Sequence, residues 1–519
     1  MRAVWAIARA DFLERARRHS FLVSLAFTLY VGYSVITGDV VLLLDDWRGV
    51  YNSAWVGALM ALVITMLLSL IGFYLVKSAV ERDRRSGVGE ILAATPMSRF
   101  EYTLGKTLSN AAVLASQVLV LAASAIVMQL IAGEDRHVDA VALLLPILLV
   151  AIPAMTLTAA LAVFFECVPL LRGGLGNVAW FFLWSTMMGA SAATAMSGRH
   201  AWFDGSGFAL LAPRLMQAGR EHIPGYHGGL SLTIGTLSAH HVFLWDGMRW
   251  TWSLVLERLL WLPIAVAIAA LGAAVFDRFD RSPARRARGD EPEGEASAAA
   301  TPLPEPEIAL TPLPPRAVGH GLLALVFAEL RLMLRGVPPI WSIVALGLAV
   351  LCWAIPLPAA RAVVLPIAWI WPLLVWSTLG ARERLHGTDA IVFSAPRPLS
   401  GPFLSTWIAG VTLAVALGAG VGVRLLASGD VAGWFGWMAG ALFVPSLALA
   451  LGVWSGNGRL FEALYLIVWY IGPLHRVPAL DFIGVGPPTI AAGMPAVFFA
   501  LAIALLAAAV VGRRRQIRG

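Results

Sequence analysis

Twelve apolar runs punctuate the chain, each close to the ~20 residues an α-helix needs to cross ~30 Å of hydrocarbon. They lie at 21–44, 54–76, 105–132, 138–165, 174–198 and 251–276, then at 338–356, 361–380, 402–427, 431–453, 459–473 and 493–512. The eleventh is the weakest, because Gly472 and Pro473 stop it early. Backbone polar groups find no partners in lipid except within helices or closed barrels, and these runs have helical length. The series therefore predicts an all-α, polytopic membrane protein. Composition agrees: the chain is 59% apolar and 13% charged, against roughly 25% charged in soluble domains, which rules out a soluble enzyme.

The sparse charge sets an expected orientation. If the N-terminus faces the cytoplasm, most of the 38 Lys and Arg fall on that side: Arg2 to Arg18, the cluster from Lys77 to Lys106, the block from Arg278 to Arg288, and the tail from Arg513 to Arg518. The opposite side holds scattered residues such as Arg48, Arg136 and Arg199. This is the positive-inside pattern, and it predicts both termini in the cytoplasm and a multi-pass protein of the cell's inner (cytoplasmic) membrane. It also accounts for the net charge of +7 without a nucleic-acid partner. The first twenty residues interleave Arg with apolar side chains and have no small-residue cleavage site, so they do not read as a cleaved signal peptide.

Residues 277–320 break the pattern. A basic block, an acidic stretch and an Ala/Pro-rich stretch carry too little apolar surface to fold. They read as a disordered cytoplasmic linker between two six-span halves, 1–276 and 321–519, and a regulatory docking site there is a secondary reading. The two cysteines, Cys167 and Cys352, lie in or beside apolar runs and read as buried thiols.

The halves echo one another in the loop after the second run of each. Residues 80–98 read VERDRRSGVGEILAATPMS and residues 380–398 read GARERLHGTDAIVFSAPRP. They align without gaps: Arg82 meets Arg382, Arg84 meets Arg384, Gly87 meets Gly387, Ile91 meets Ile391 and Pro96 meets Pro396, while Asp83 faces Glu383. A weaker echo precedes each half's first run, where Ala10 and Asp11 correspond to Ala328 and Glu329 at the start of amphipathic helices expected to lie on the inner leaflet. In each loop the glycine permits a turn, a short helix follows with Ile91 and Leu92, or Ile391 and Val392, and the proline ends it. A short helix at the membrane face with exposed apolar residues reads as a docking element for a cytoplasmic protein. The alternative is an interfacial helix resting on lipid.

The run Glu81, Arg82, Gly87, Glu90, Leu92 and Pro96, followed by Gly105 and Lys106 at the start of the next span, resembles the signature of ABC-type exporter permeases of the type-2 class. The resemblance implies that each loop is a coupling helix seated in a cleft of an ATP-binding subunit. Glu81, Arg82, Glu90, Arg382 and Glu383 would then be polar contacts, and Ile91, Leu92, Ile391 and Val392 apolar ones. It also implies small re-entrant helices between the fifth and sixth spans. The chain departs from the pattern where Val88 replaces the usual Thr, which Thr388 retains. Ala390 stands where the first half has Glu90, and Thr406 where it has Lys106. Unless Asp389 substitutes for the missing carboxylate, the two halves grip the ATPase unequally.

No nucleotide site of its own is legible. Gly105, Lys106 and Thr107 mimic a phosphate loop, but Phe100 stands where its first glycine belongs. The chain is expected to hold no cofactor and to be no enzyme by itself, with ATP and magnesium on a separate ATPase subunit present in two copies per fused chain. A homodimer of twelve-span chains is the alternative assembly. A competing class, the ion-coupled secondary transporter, needs ionisable residues near the midplane. The runs offer chiefly Glu257 and Arg258, of which Arg258 is expected to snorkel outward while Glu257 turns into the bundle. Glu462 and Arg424 are expected to snorkel at span ends. An intramembrane enzyme is a third class, weakened because the loop carboxylates match each other as docking residues would. The long segment 199–249 has two short apolar stretches, near 208–216 and 230–237, read as re-entrant or interfacial helices. Its five histidines, His200, His222, His227, His240 and His241, lack metal-site spacing.

Overall fold

The computed structural model describes residues 2–37, 40–197, 204–234, 241–279, 321–335, 337–395 and 397–518. The chain forms two compact units, Met1–Asp280 and Arg281–Gly519. Both are helical. Seven helical stretches among the described residues are long and apolar enough to cross a membrane: Ser53–Arg85, Arg99–Ile131, Ala140–Cys167, Trp252–Val275, Leu399–Ala427, Val431–Ser455 and Met494–Arg518. An eighth is reached if Gly321–Leu334 and Pro339–Ala354, which meet at 116°, are counted as one span. Pro338 and Pro339 open the second member of that pair, as prolines favour at a helix's first turn.

Helix is present at each of the twelve runs, but five fall short of a full apolar span. The first is helical only over His19–Ile36, because Val40–Leu43 leaves the helix to pair as a strand with Ser231–Ile234. The fifth, Gly174–Ser197, is long enough but too rich in small and polar residues to qualify. The seventh is the 16-residue helix Pro339–Ala354. The eighth is broken into Leu357–Ala359, Ala360–Val364, Leu365–Ile370 and Leu373–Trp376, with Pro366 and Pro372 removing ladder donors. The eleventh is Arg459–Trp469, extended by a wider turn over Tyr470–Leu474 that contains Gly472 and Pro473.

At the first unit's end remote from the loop, the connections form a small β cap. Val40–Leu43 pairs antiparallel with Ser231–Ile234, and Trp47–Gly49 pairs parallel with His241–Phe243. The first pairing corrects two helical expectations, for residues 40–44 and for 231–234 of the stretch near 230–237, whose residues 235–237 lie outside the described residues. Short runs of Val, Leu, Ile and Thr suit either state, and here the cross-strand partner decides. The other expected short helix is present as Phe208–His222. Its amino end is capped by the Asp204 carboxylate, which accepts from Gly207 N at 3.0 Å and Leu210 N at 3.2 Å.

Aromatic packing fills both interiors. In the first unit Phe73 stacks on Trp180 at 4.3 Å and meets Phe165 edge-on. In the second, Phe443, Phe482 and Phe498 pack together, and the buried Trp369, Trp376 and Trp469 indoles donate to the carbonyls of Ala414, Gly410 and Pro366. Those bonds satisfy the polar tips that burial would otherwise strand.

The charged pair in the sixth run is arranged opposite to expectation. Arg258 is 1% exposed and donates to the Asp204 carbonyl at 2.7 Å, while the Glu257 side chain is 28% exposed. Adjacent helical residues face different ways, and the carbonyl of a loop distant in sequence selects which one turns inward. Glu462 is likewise buried rather than snorkelling. Arg424 reaches the carbonyls of Cys352 and Ile355 at 3.1 and 2.7 Å, the last acceptors of a helix end.

Candidate functional site: the two repeated loops

In the first unit the stretch Ser53–Arg85 is interrupted after Val76, where the helix Ser69–Val76 ends. Lys77 is extended, and Ser78 takes φ 117°, a left-handed value that disfavours any side chain. Lys77 turns back into the protein, 1% exposed, and donates to the carbonyls of Leu171 and Gly173, each at 3.1 Å, and to Asn177 Oδ1 at 2.7 Å. A short helix, Ala79–Arg85, starts at once. Helix starts leave backbone N–H groups without partners, and here a carboxylate from the fourth span supplies them. Glu166 Oε1 accepts from Ser78 N and, at 3.0 Å, from Ala79 N; Oε2 accepts from Val80 N at 2.7 Å and Glu81 N at 2.9 Å.

A buried charge cluster ties this helix to its neighbours. Asp83 accepts from the Tyr102 hydroxyl at 2.8 Å and pairs with Lys106 at 2.8 Å. Lys106 also reaches Asp11 at 3.0 Å, on the entry helix Arg2–Ala16. Asp11 further binds Arg15 at 3.0 Å, the Ser109 hydroxyl at 2.6 Å and Arg82 at 3.6 Å, and Arg82 meets Glu14 at 3.2 Å. Burial alone would raise the Asp11 carboxyl, but Arg15, Lys106, the Ser109 hydroxyl and Arg82 together hold it down to about 2. In the buried part Asp11 and Asp83 face Arg15, Arg82 and Lys106, while Glu14 at the exposed rim pairs with Arg82 and Arg18, so each buried carboxylate has a cation beside it, as low-dielectric burial demands.

Beyond the cluster the loop turns at Gly87, φ 75°, and a second short helix, Val88–Ala93, follows. Its faces differ. Leu92 packs inward against the cluster of Val80, Tyr102, Val163, Cys167 and Phe276, whereas Ile91 is 69% exposed, with Val88 and Glu90 beside it. Gly89 is buried against the Phe279 ring, 2.6 Å from where a Cβ would stand. Arg278 donates to the carbonyls of Thr95 and Met97 at 2.7 and 2.9 Å. The packing of the first unit therefore continues past residue 276; the rest of the segment 277–320, from residue 280, lies outside the described residues. Pro96 precedes Ser98, which with Glu101 forms a capping box on the long helix Arg99–Ala132.

The second unit carries the same turns with different supports. Gly380 has φ 75° and Gly387 φ 63°, framing the helices Arg382–Leu385 and Asp389–Phe393. Arg382 pairs with Glu329 of the entry helix Gly321–Leu334, as Arg82 pairs with Asp11 and Glu14. Glu383 binds Arg513 at 3.1 Å. Arg513, on the last helix, also donates to the Gly380 carbonyl at 3.3 Å and lies over the rings of Phe393 and Phe403 at 4.8 and 5.6 Å. Ile391 is 75% exposed and Val392 half-buried, the same division as Ile91 and Leu92. Pro396 lies outside the described residues.

Of the residues singled out from sequence, Ile91, Glu90 and Ile391 stand on the surface, Glu81 is half-buried and pairs with Arg85 at 2.8 Å, and Leu92 and Val392 turn inward. Arg82, Arg382 and Glu383 are engaged within their own units. Sequence reading missed Glu166, Lys77, Asp11 and Arg513 as supports. The available signal was chemical: Glu166 and Lys77 are charges standing at the ends of apolar runs. Among the described residues, no group of three His, Cys, Asp or Glu converges as a metal site.

Residues 45–204, which contain the first loop and the Glu166 carboxylate, match the family model described as ABC-2 family transporter protein. No curated protein and no solved structure matches the chain. The matched segment is thus similar to the membrane domain of an ABC-2 type permease, a transport component that is not itself catalytic.

Proposed function

We propose, from an ABC-2 type permease domain as premise, that this chain is the membrane subunit of an ATP-driven ABC export system working with a separate cytoplasmic ATPase. The loops lie on the cytoplasmic side of the inner membrane with both termini, and each receives one ATPase copy beneath one half of a fused, twelve-span pair. Substrate would be a lipid, peptide or hydrophobic small molecule, captured by apolar surfaces without a midplane charge relay. ATP and magnesium belong to the partner. Closure of the ATPase dimer would push the short helices and alter the packing of the spans behind them, shifting the population between access states.

The observation that carries this reading is the exposed isoleucine on each loop, Ile91 at 69% and Ile391 at 75%, within loops otherwise held by internal partners. An apolar side chain presented on a braced helix has the form of a docking knob. Glu90 borders the first knob, and Glu81 stands on the preceding short helix. Leu92 and Val392 act from behind, seating the helix rather than touching the ATPase.

The test is replacement of Ile91 and Ile391 by Asp in a chain co-expressed with a candidate ATPase. Expected results are loss of co-purification and of ATPase stimulation, with the permease's thermal unfolding midpoint unchanged. Undiminished association would overturn the assignment. Flux driven by a proton or sodium gradient without nucleotide would instead establish a secondary transporter.

A further inference from the structure

We propose that each loop is wired to a different span by one buried charge: Glu166 of the fourth helix in the first unit, and Arg513 of the last helix in the second. This rests on the coupling reading, and it adds where motion of the loops would be delivered.

Both oxygens of Glu166 are filled by successive backbone N–H groups of Ser78, Ala79, Val80 and Glu81. Ala79 and Val80 are 0% and 1% exposed, so water cannot replace the carboxylate if it withdraws. Ser78, at φ 117°, holds a conformation that persists only when its surroundings over-determine it. Glu166 supplies that restraint, and Lys77 anchors the preceding residue to the Leu171–Asn177 turn. The start of the loop helix and the end of the helix Ile152–Cys167 therefore move together. Displacing the start of the loop helix would draw on the fourth span, while Asp83, paired with Lys106, ties the middle of the same helix to Arg99–Ala132.

The second unit reaches its loop differently. Its helix Val431–Ser455 approaches the loop through glycine: a Cβ on Gly452 would stand 1.9 Å from the Leu379 carbonyl oxygen, and one on Gly380 would stand 2.6 Å from that of Leu449. Backbone lies on backbone, and a side-chain tether has no room. The charge comes instead from Arg513, 3% exposed, which binds the Gly380 carbonyl before the loop helix and the Glu383 carboxylate within it while covering Phe393 after it. One guanidinium thus holds three points of the loop to the helix Met494–Arg518. Displacement here would draw on the last span.

The test uses the full chain in phosphatidylethanolamine/phosphatidylglycerol nanodiscs and reads amide hydrogen exchange. Glu166→Gln should speed exchange over 78–85 by about ten-fold or more and leave 382–393 at the wild-type rate, because orphaned amides open locally. Arg513→Gln should do the reverse, and Glu166→Asp and Arg513→Lys should restore part of the protection in their own loops only. Unchanged exchange in the corresponding loop, or equal loosening of both loops by either variant, would overturn the wiring. If Glu166→Gln does not fold, Glu166→Asp alone must still loosen 78–85 selectively. A second arm adds an ATPase that binds the wild-type chain. Nucleotide should change exchange in 152–167 and 494–513, and Glu166→Gln should abolish only the first response while the ATPase stays bound. Failure of every ATPase to bind sinks the coupling reading and leaves the wiring standing on the first arm. Binding with both responses intact in Glu166→Gln sinks the wiring and leaves the coupling reading.

Discussion

In the first unit the loop leans on charge: Asp11, Glu14, Arg15, Arg82, Asp83 and Lys106 form one cluster, and Glu166 caps the helix that follows the joint. In the second, Arg382 pairs with Glu329, Arg513 reaches Gly380 and Glu383, and the joint itself is glycine packed on a neighbouring helix. The turns and the exposed isoleucines are alike, while the supports are not. On the proposed docking role, the two loops would have to present the same face to equivalent partners, so their outward residues would be constrained together. The groups behind them have only to hold that face still, which unlike chemistries accomplish equally well.

The comparison is broken most severely at Lys106. Lys106→Met leaves Asp11 and Asp83 buried without their shared cation, and removing one partner of a buried network destabilises by about 3–5 kcal/mol. Thermal unfolding in detergent should show a drop of many degrees or a chain that no longer purifies as a monodisperse species. The aligned residue in the second unit is Thr406, on the helix Leu404–Ala427, whose hydroxyl donates to the Pro402 carbonyl at 2.9 Å. Thr406→Val should lower the midpoint far less. Equal effects would mean that the charge cluster is not what distinguishes the first loop.

The converse break is Gly380→Ala. The position is left-handed, and the added methyl meets the Leu449 carbonyl, so a backbone penalty and an overpacking penalty combine to about 2–4 kcal/mol. Gly87→Ala shares the left-handed φ but has open space around it, and should show only the backbone part, about 1 kcal/mol. The same unfolding assay ranks the two.

Acid should sharpen the contrast. The Asp11 carboxyl is held at about 2, below its ordinary 3.8, so its ion pairs contribute stability that is present above pH ~4 and is lost as pH falls toward 2. The depression corresponds to about 2 kcal/mol. Unfolding free energies of wild type and Asp11→Asn should differ by that much at pH 7 and converge as pH falls from 4 toward 2. A gap that stays constant across that window would show that Asp11 acts by packing rather than by charge.

Which of these features was legible in the sequence follows from how far apart the interacting residues lie. The loops were legible because their turns are local: Gly87 and Gly387 must bend, and the alternation of charge and Ile around them is carried within a few residues. The supports were not, because Glu166 and Arg513 meet the loops across long stretches of chain. Within their own segments each looks like a charge at a span's end, for which snorkelling is the usual fate. Arg258 and Glu257 make the same point, since periodicity cannot say which of two neighbours turns inward until the Asp204 carbonyl is in place. Val40–Leu43 was misread for a further reason, that apolar β-branched residues satisfy the hydropathy of a span and the pairing of a strand alike.

The smallest expected effect tests the joint itself. Ser78 sits at φ 117° where the second loop uses Gly380 at φ 75°, so the first unit holds with a side chain a bend that the second makes with none. Ser78→Gly removes that strain and should stabilise the folded chain, but it also enlarges the conformational freedom of the unfolded chain, which opposes the gain. The net should be at most about 1 kcal/mol, a rise of a degree or two in the midpoint. The sign carries the information. If Glu166 and Lys77 supply the restraint, the variant holds its midpoint or gains, and the amides of 78–81 stay protected because the carboxylate still receives them. If Ser78 itself enforces the bend, the same variant loosens those amides and lowers the midpoint, and the joint would then depend on a strained residue rather than on the buried charges that surround it.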